Sequence, residues 1–150
     1  MNTKHFFAFL LAVMIAASTI FGFAAAQSII ISGEQAEIPP EMGSIKEADD
    51  RTFVPIRFVM EYLGCYVDFD DINHAATVSS DVCAYVIQED NPELFIIPFT
   101  GEESTVLKMD TVPFIDQTEG RMYIPIRFLA EAIGYQVGWD EKTQTVTLEK

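Results

Sequence analysis

Basic side chains are scarce in this chain. Nine Lys+Arg face 23 Asp+Glu, a formal charge of −14 at pH 7. Phosphate backbones and anionic headgroups reward cationic surfaces, so nucleic acid is excluded as a partner and an anionic membrane surface is disfavoured. Histidine is scarcer still, with only His5 and His74. Copper sites call for several imidazoles and a Ser-His-Asp triad for a well-placed one, and no Gly-x-Ser-x-Gly elbow accompanies either residue. Cysteine occurs twice, at Cys65 and Cys83, without the clustered spacing of a metal site. Carboxylate pairs of the kind glycoside hydrolases use are present only through the abundance of acids. These shortages argue against an enzyme, a metal or an organic cofactor.

What is plentiful begins at the N-terminus. Lys4 and His5 precede an apolar run over 6–17, and Ala24-Ala25-Ala26 supplies small residues in an A-x-A pattern. Residues 1–26 therefore read as a signal peptide, with cleavage before Gln27. The rival is an uncleaved anchor, since the apolar stretch approaches the length of a membrane span. Setting Lys4 aside with the leader leaves residues 27–150 at −15, enough chain for one body. Export permits a disulfide between Cys65 and Cys83. The parity of Cys65 with Val67 and Phe69 points instead to two reduced, buried thiols, and both readings stay open.

The dominant feature is internal repetition. Residues 51–78 return at 121–148, a constant offset of seventy, with ten of the twenty-eight positions identical. Unrelated segments of average composition would share one or two, on the order of chance. Pseudo-repeats of about 28–80 and 104–150 follow, joined by a β-hairpin at 84–98. Each copy predicts a short β run ending at Pro55 or Pro125, where proline suits the first helical position. Ile56, Val59, Met60 and Leu63, like Ile126, Leu129, Ala130 and Ile133, form the apolar stripe of a two-turn helix over about 55–63 and 125–133. Gly64 and Gly134 sit where a left-handed cap stops it.

Period-two alternation then predicts hairpins turning at Asp70 and Asp140, whose carboxylates reach backbone N–H groups two residues on. Further hairpins are expected over 28–38, turning at Gly33, and over 105–115, turning near Asp110. Pro39 to Asp50 reads as a polar linker. The expected core is Val54, Ile56, Val59, Leu63, Val67, Phe69 and Val78 with their counterparts seventy residues on, Trp139 among them. The fold class is α+β, two pseudo-repeats each packing a short helix on antiparallel strands.

The pattern Arg-x-Phe/Tyr-Val/Ile-Pro-Ile-Arg-Phe-x-x-Glu-x-Leu/Ile-Gly-x-x-Val-x-Phe/Trp-Asp runs from Arg51 to Asp70 and again from Arg121 to Asp140. It resembles the copper amine oxidase N-terminal domain-like family, also called stalk domains. The resemblance marks Arg51, Pro55, Arg57, Glu61, Gly64 and Asp70, then Arg121, Pro125, Arg127, Glu131, Gly134, Trp139 and Asp140, as structural motif residues. It implies a curled antiparallel sheet against helices, in secreted or surface proteins of Gram-positive bacteria beside wall-associated modules. It also implies no copper chemistry, which in the oxidases belongs to a different domain. First-copy departures are Asp50 where glycine is usual, Cys65 after Gly64, and Phe69 for Trp.

Two motif features could carry a site. Arg57/Glu61 and Arg127/Glu131 lie four apart on a helix, so each can form an intrahelical ion pair, yet a guanidinium fork also grips carboxylates and phosphates. Asp68, Asp70, Asp71 and Asn73 gather oxygen ligands without the glycine and distal glutamate of a calcium loop, so they read as an acidic turn. The expected function is a non-catalytic secreted or cell-envelope module with a structural, adhesion or recognition role. Its partner is a cell-envelope component or protein, and the membrane matters only through the signal peptide during export. The alternative is a small-ligand-binding or hydrolytic extracellular domain using Arg57, Arg127 and acidic side chains.

Overall fold

The two segments that match at the seventy-residue offset adopt the same elements in the same order. Strand β4 (Arg51–Pro55) runs into helix α1 (Ile56–Tyr62), and later β11 (Arg121–Pro125) runs into α2 (Ile126–Ala132). These assignments come from a computed structural model that describes residues 28–150; the signal-peptide expectation for 1–26 lies outside them. Pro55 and Pro125 are not the first helical residues, as the sequence suggested. They are extended N-caps, ψ 117° and 112°, that also close the preceding strand.

Each helix stops as its glycine predicts. Gly64, at φ +82°, donates its N–H to the Glu61 carbonyl at 3.0 Å, and Cys65 donates to Met60 at 2.9 Å. Gly134 and Tyr135 make the same pair of bonds to Glu131 and Ala130. This is a Schellman stop, which answers two orphan carbonyls and places an apolar residue just past the glycine against the last turn.

Three sheets follow from the strand pairing. The central one has the order β10 (Phe114–Asp116), β11, β4, β3 (Lys46–Ala48). In it Val54 faces Ile124, its own counterpart, with Phe53 opposite Pro125 and Pro55 opposite Tyr123. That register is that of a local twofold axis. A five-stranded sheet continues from the first hairpin, β5 (Tyr66–Asp70) and β6 (Ala75–Ser79), through β7 (Cys83–Gln88) and β8 (Glu93–Pro98) to β9 (Thr105–Lys108). The third sheet joins β12 (Gln136–Asp140) and β13 (Thr145–Glu149) to β1 (Ser28–Ile31) and β2 (Glu34–Ala36). Mostly antiparallel sheets with two short helices make this an α+β fold.

Several sequence expectations are corrected here. The sheets are not wholly antiparallel: β1 lies parallel to β13, Ser28 opposite Thr145. The 105–115 hairpin does not form, because β9 pairs with β8 and β10 with β11. The linker from Pro39 to Asp50 contains a 3₁₀ turn at Pro40–Met42 and the strand β3. Cys65 and Cys83 are free thiols, but only Cys65 is buried and Cys83 is half-buried.

The core holds Val54, Ile56, Val59, Val67 and Val78 with Ile124, Ile126, Leu129 and Leu148, as expected, and adds Ile29, Met60, Tyr85, Ile87 and Leu94. Leu63, Phe69, Ile133 and Val137 are only half-buried, and Trp139 is 39% exposed. Phe69 and Trp139 belong to β5 and β12, which are sheet edges, so no neighbouring strand covers one side of their rings. Phe53, Phe114 and Tyr123 form a separate aromatic cluster, with ring centroids 5.1 and 5.3 Å apart. Among the described residues no helix is long and apolar enough to cross a membrane.

Candidate functional site: two related clefts

The turn from each strand into its helix forms one wall of a cleft. In the first, about 500 Å³, Pro55, Ile56 and Arg57 face Val67, Asp68 and Phe69 of β5, and Arg121 and Met122 of β11 close the far side. In the second, about 350 Å³, Pro125, Ile126 and Arg127 face Val137, Gly138 and Trp139 of β12, closed by Arg51 and Thr52 of β4. The residues just named in the second cleft are those of the first displaced by seventy. The antiparallel crossing of β4 and β11 is the cause: each motif copy contributes a helix start and a hairpin to one cleft and a strand to the other.

Their side chains are committed differently. Arg57 donates from Nη1 to the Val67 carbonyl at 2.8 Å and to Glu61 at 3.2 Å, so it ties its own helix to β5. Arg121 donates to the Glu41 carbonyl. The first cleft therefore has both guanidiniums engaged with the fold. In the second, Arg51 donates from Nε to Asp110 at 3.1 Å and from Nη1 to the Asp50 carbonyl at 2.9 Å. Arg127 makes no ion pair with Glu131, nor any other ion pair or hydrogen bond among the described residues. It still acts on Asp110: hydrogen bonding from Arg51, aided by the charges of Arg51 and Arg127, holds that carboxyl below the ordinary carboxylate range.

The remaining motif residues serve the frame. Asp70 accepts the N–H groups of Ile72 and Asn73 at 2.8 and 3.0 Å, and its side-chain bond with Asn73 leads in lowering its pKa. Asp140 accepts from Lys142 and Thr143 at 2.9 and 3.3 Å. Gly64 and Gly134 are the helix stops, Pro55 and Pro125 the caps, and Glu131 is exposed.

Sequence reasoning missed Asp110, and it missed the tie over the aromatic cluster. There Lys46 bonds Asp116 and, at 2.9 Å, Glu119, while its ammonium stands 4.5 Å from the Tyr123 ring centroid. Tyr123 donates its hydroxyl to Glu119 and accepts the Ser44 N–H at 3.2 Å. Burial pulls the Lys46 pKa down, but its hydrogen bonds to Asp116 and Glu119 outweigh this and raise it overall; Lys46 leads in lowering both carboxyls. Lys46 and Asp116 are themselves seventy apart, and their opposite signs were the available signal.

A copper site does not fit these residues. His74 is the one described histidine, bonded through Nδ1 to Glu89 at 2.7 Å, and among the described residues no three His, Cys, Asp or Glu side chains group so as to hold a metal ion.

The class defined by this fold and these motifs is that of a stalk-type α+β module. The family described as copper amine oxidase N-terminal domain matches residues 30–148, and the chain belongs to it. That family is a non-catalytic domain of those enzymes. Neither curated proteins nor solved structures give a significant match to the chain.

Proposed function

We propose that this chain is a non-catalytic, extracytoplasmic recognition module built from two structural pseudo-repeats, exported by its N-terminal leader and acting at the cell envelope. The observation that carries the reading is the pair of clefts at equivalent positions. Duplicating a unit reproduces its packing, and a concavity at the copy junction comes with it. Family membership supports the non-catalytic part of the reading. The leader pattern over 1–26 and a charge of −14 support export into cation-rich surroundings. Co-sedimentation of the purified protein with isolated cell-envelope material tests this. The protein is expected in the pellet, with release at excess soluble envelope fragments; protein that stays wholly in the supernatant refutes the envelope role. Sequencing the exported protein should read Gln27 first, and a retained Met1 would refute cleavage.

A further inference from the structure

The two clefts differ in what they leave available. In the first, Asp68 adds a carboxylate to the lining, and both arginines are spent on backbone carbonyls and Glu61. In the second, Gly138 stands where Asp68 does, Trp139 replaces Phe69 with 39% of its surface exposed, and Arg127 has open donors among the described residues. A volume of about 350 Å³ places this cleft at the small end of small-molecule sites.

Charge decides the ligand class. Arg127 offers donors that no bond among the described residues uses, Arg51 adds positive charge while bonded to Asp110 and the Asp50 carbonyl, and the carboxylates of Asp110, Asp50 and Glu47 line the same cleft. An anion would match the guanidiniums but meet three carboxylates; a cation would meet the reverse conflict. An apolar ligand would strip water from charged walls without replacing its hydrogen bonds, which is unfavourable for every group left unsatisfied. A polyhydroxylated ring escapes all three problems. Its hydroxyls both donate and accept, and the C–H face of a pyranose is apolar enough to lie on an indole.

We infer that the second cleft binds an uncharged pyranose ring of a glycan, stacked on Trp139, with Arg127 donating to ring hydroxyls and Asp110 accepting from them. The inference deepens the recognition reading above and rests on it for the glycan's source. The first cleft, with its arginines engaged, is a framework copy of the same geometry.

Trp139 is the chain's single tryptophan, so emission excited selectively at tryptophan reports this cleft alone. The purified protein is titrated with tetrasaccharides of glucose, N-acetylglucosamine and mannose, and with tetragalacturonate as an acidic comparator. A saturable shift with at least one neutral tetrasaccharide, and none with tetragalacturonate, is expected. Arg127→Ala, which keeps the reporter and breaks no bond of the fold, should weaken that binding on the order of tenfold or more, as loss of an anchor does. Calorimetry should show the same for Trp139→Ala, while Phe69→Ala in the first cleft leaves binding unchanged. No response to any neutral tetrasaccharide, a response to tetragalacturonate alone, or undiminished binding by Arg127→Ala and Trp139→Ala overturns the inference. Envelope co-sedimentation undisturbed by Trp139→Ala, with no tetrasaccharide response, sinks the glycan site and leaves the module reading standing. A tetrasaccharide response without co-sedimentation does the opposite.

Discussion

Gly43→Ala should cost far more than Gly64→Ala, although both replace a positive-φ glycine by one methyl group. At Gly64, φ is +82° and nothing lies within 4 Å of an added Cβ, so only left-handed backbone strain is at issue, about 1–2 kcal/mol. Gly43 has φ +104° and ψ −161°, a region that is essentially glycine-only and costs up to about 3 kcal/mol. Space is also missing there. A Cβ would come within 2.6 Å of the Tyr123 hydroxyl oxygen, 3.0 Å of Pro55 Cγ and 3.2 Å of Arg121 Cδ. Relief means moving the loop that donates the Ser44 N–H to Tyr123, or the Tyr123 ring that stacks on Phe114. Strain and clash together come to about 3–5 kcal/mol, a large share of the usual 5–15 kcal/mol of a domain. Urea unfolding followed by far-ultraviolet dichroism measures both variants, provided the slope m stays constant. Tyr123→Phe removes the nearest atom, so in that background the Gly43→Ala penalty should shrink by about 1 kcal/mol through coupling. Equal costs for Gly43→Ala and Gly64→Ala, or no coupling to Tyr123, would refute the packing argument.

Arg57→Ala should lower stability by about 1 kcal/mol through the lost charged bond to the Val67 carbonyl. Arg127→Ala, which breaks no such bond, should stay within about 0.5 kcal/mol of the parent in the same urea experiment. Asp50 stands at φ +56° beside Asp49 at +49°, so Asp50→Gly should raise the unfolding free energy slightly, by about 0.5 kcal/mol; a fall would show that the aspartate contributes more than it strains. Asp110, Asp116 and Glu119 all have folded pKa values below their unfolded ones. Their contribution is therefore present above pH of about 4 and is lost as pH falls through the folded values. Lys46→Met should flatten the decline of the unfolding midpoint below pH 4, and an unchanged acid limb would contradict the tie.

The helices and motif hairpins were legible because their causes are local. Apolar spacing from Ile56 to Leu63, a glycine at the stop and an aspartate at the turn each act within a few residues, and the structure uses all of them. Pairing between distant strands was not legible in the same way. Thr105 to Lys108 is a short β-prone run with no alternation, and nothing in it tells β8 from the stretch 112–115 as partner. Pro113 carries no N–H, and its carbonyl instead accepts the Asp90 N–H at 3.0 Å. Trp139 has the parity of a core residue, and the sequence gives no sign that β12 is an edge. The clefts themselves were half legible: Arg57 and Arg127 were singled out, but the walls that Arg121 and Arg51 supply come from the opposite motif copy.

That exchange between copies extends to the ends of the fold, and it sets the last prediction. The hairpin β1–β2 precedes the first motif copy in sequence, yet β1 pairs with β13 of the second, and Ile29 and Ile31 are 0% and 5% exposed. Removing 28–36 would uncover Val146 and Leu148, leave one edge of β13 without its partner and delete two buried isoleucines. Each isoleucine is worth about 1.5–3 kcal/mol of burial, so the loss is about 3–6 kcal/mol before the edge hydrogen bonds are counted. Against a typical 5–15 kcal/mol that leaves little or nothing. The truncated protein should give no cooperative thermal transition and rapid proteolysis, even though both motif copies remain whole. A full-length variant carrying Ile29→Thr and Ile31→Thr should lose part of that stability, separating burial from strand pairing. A truncated protein that melts within a few degrees of the parent would show that the copies, and not the parallel closure between β1 and β13, hold the fold.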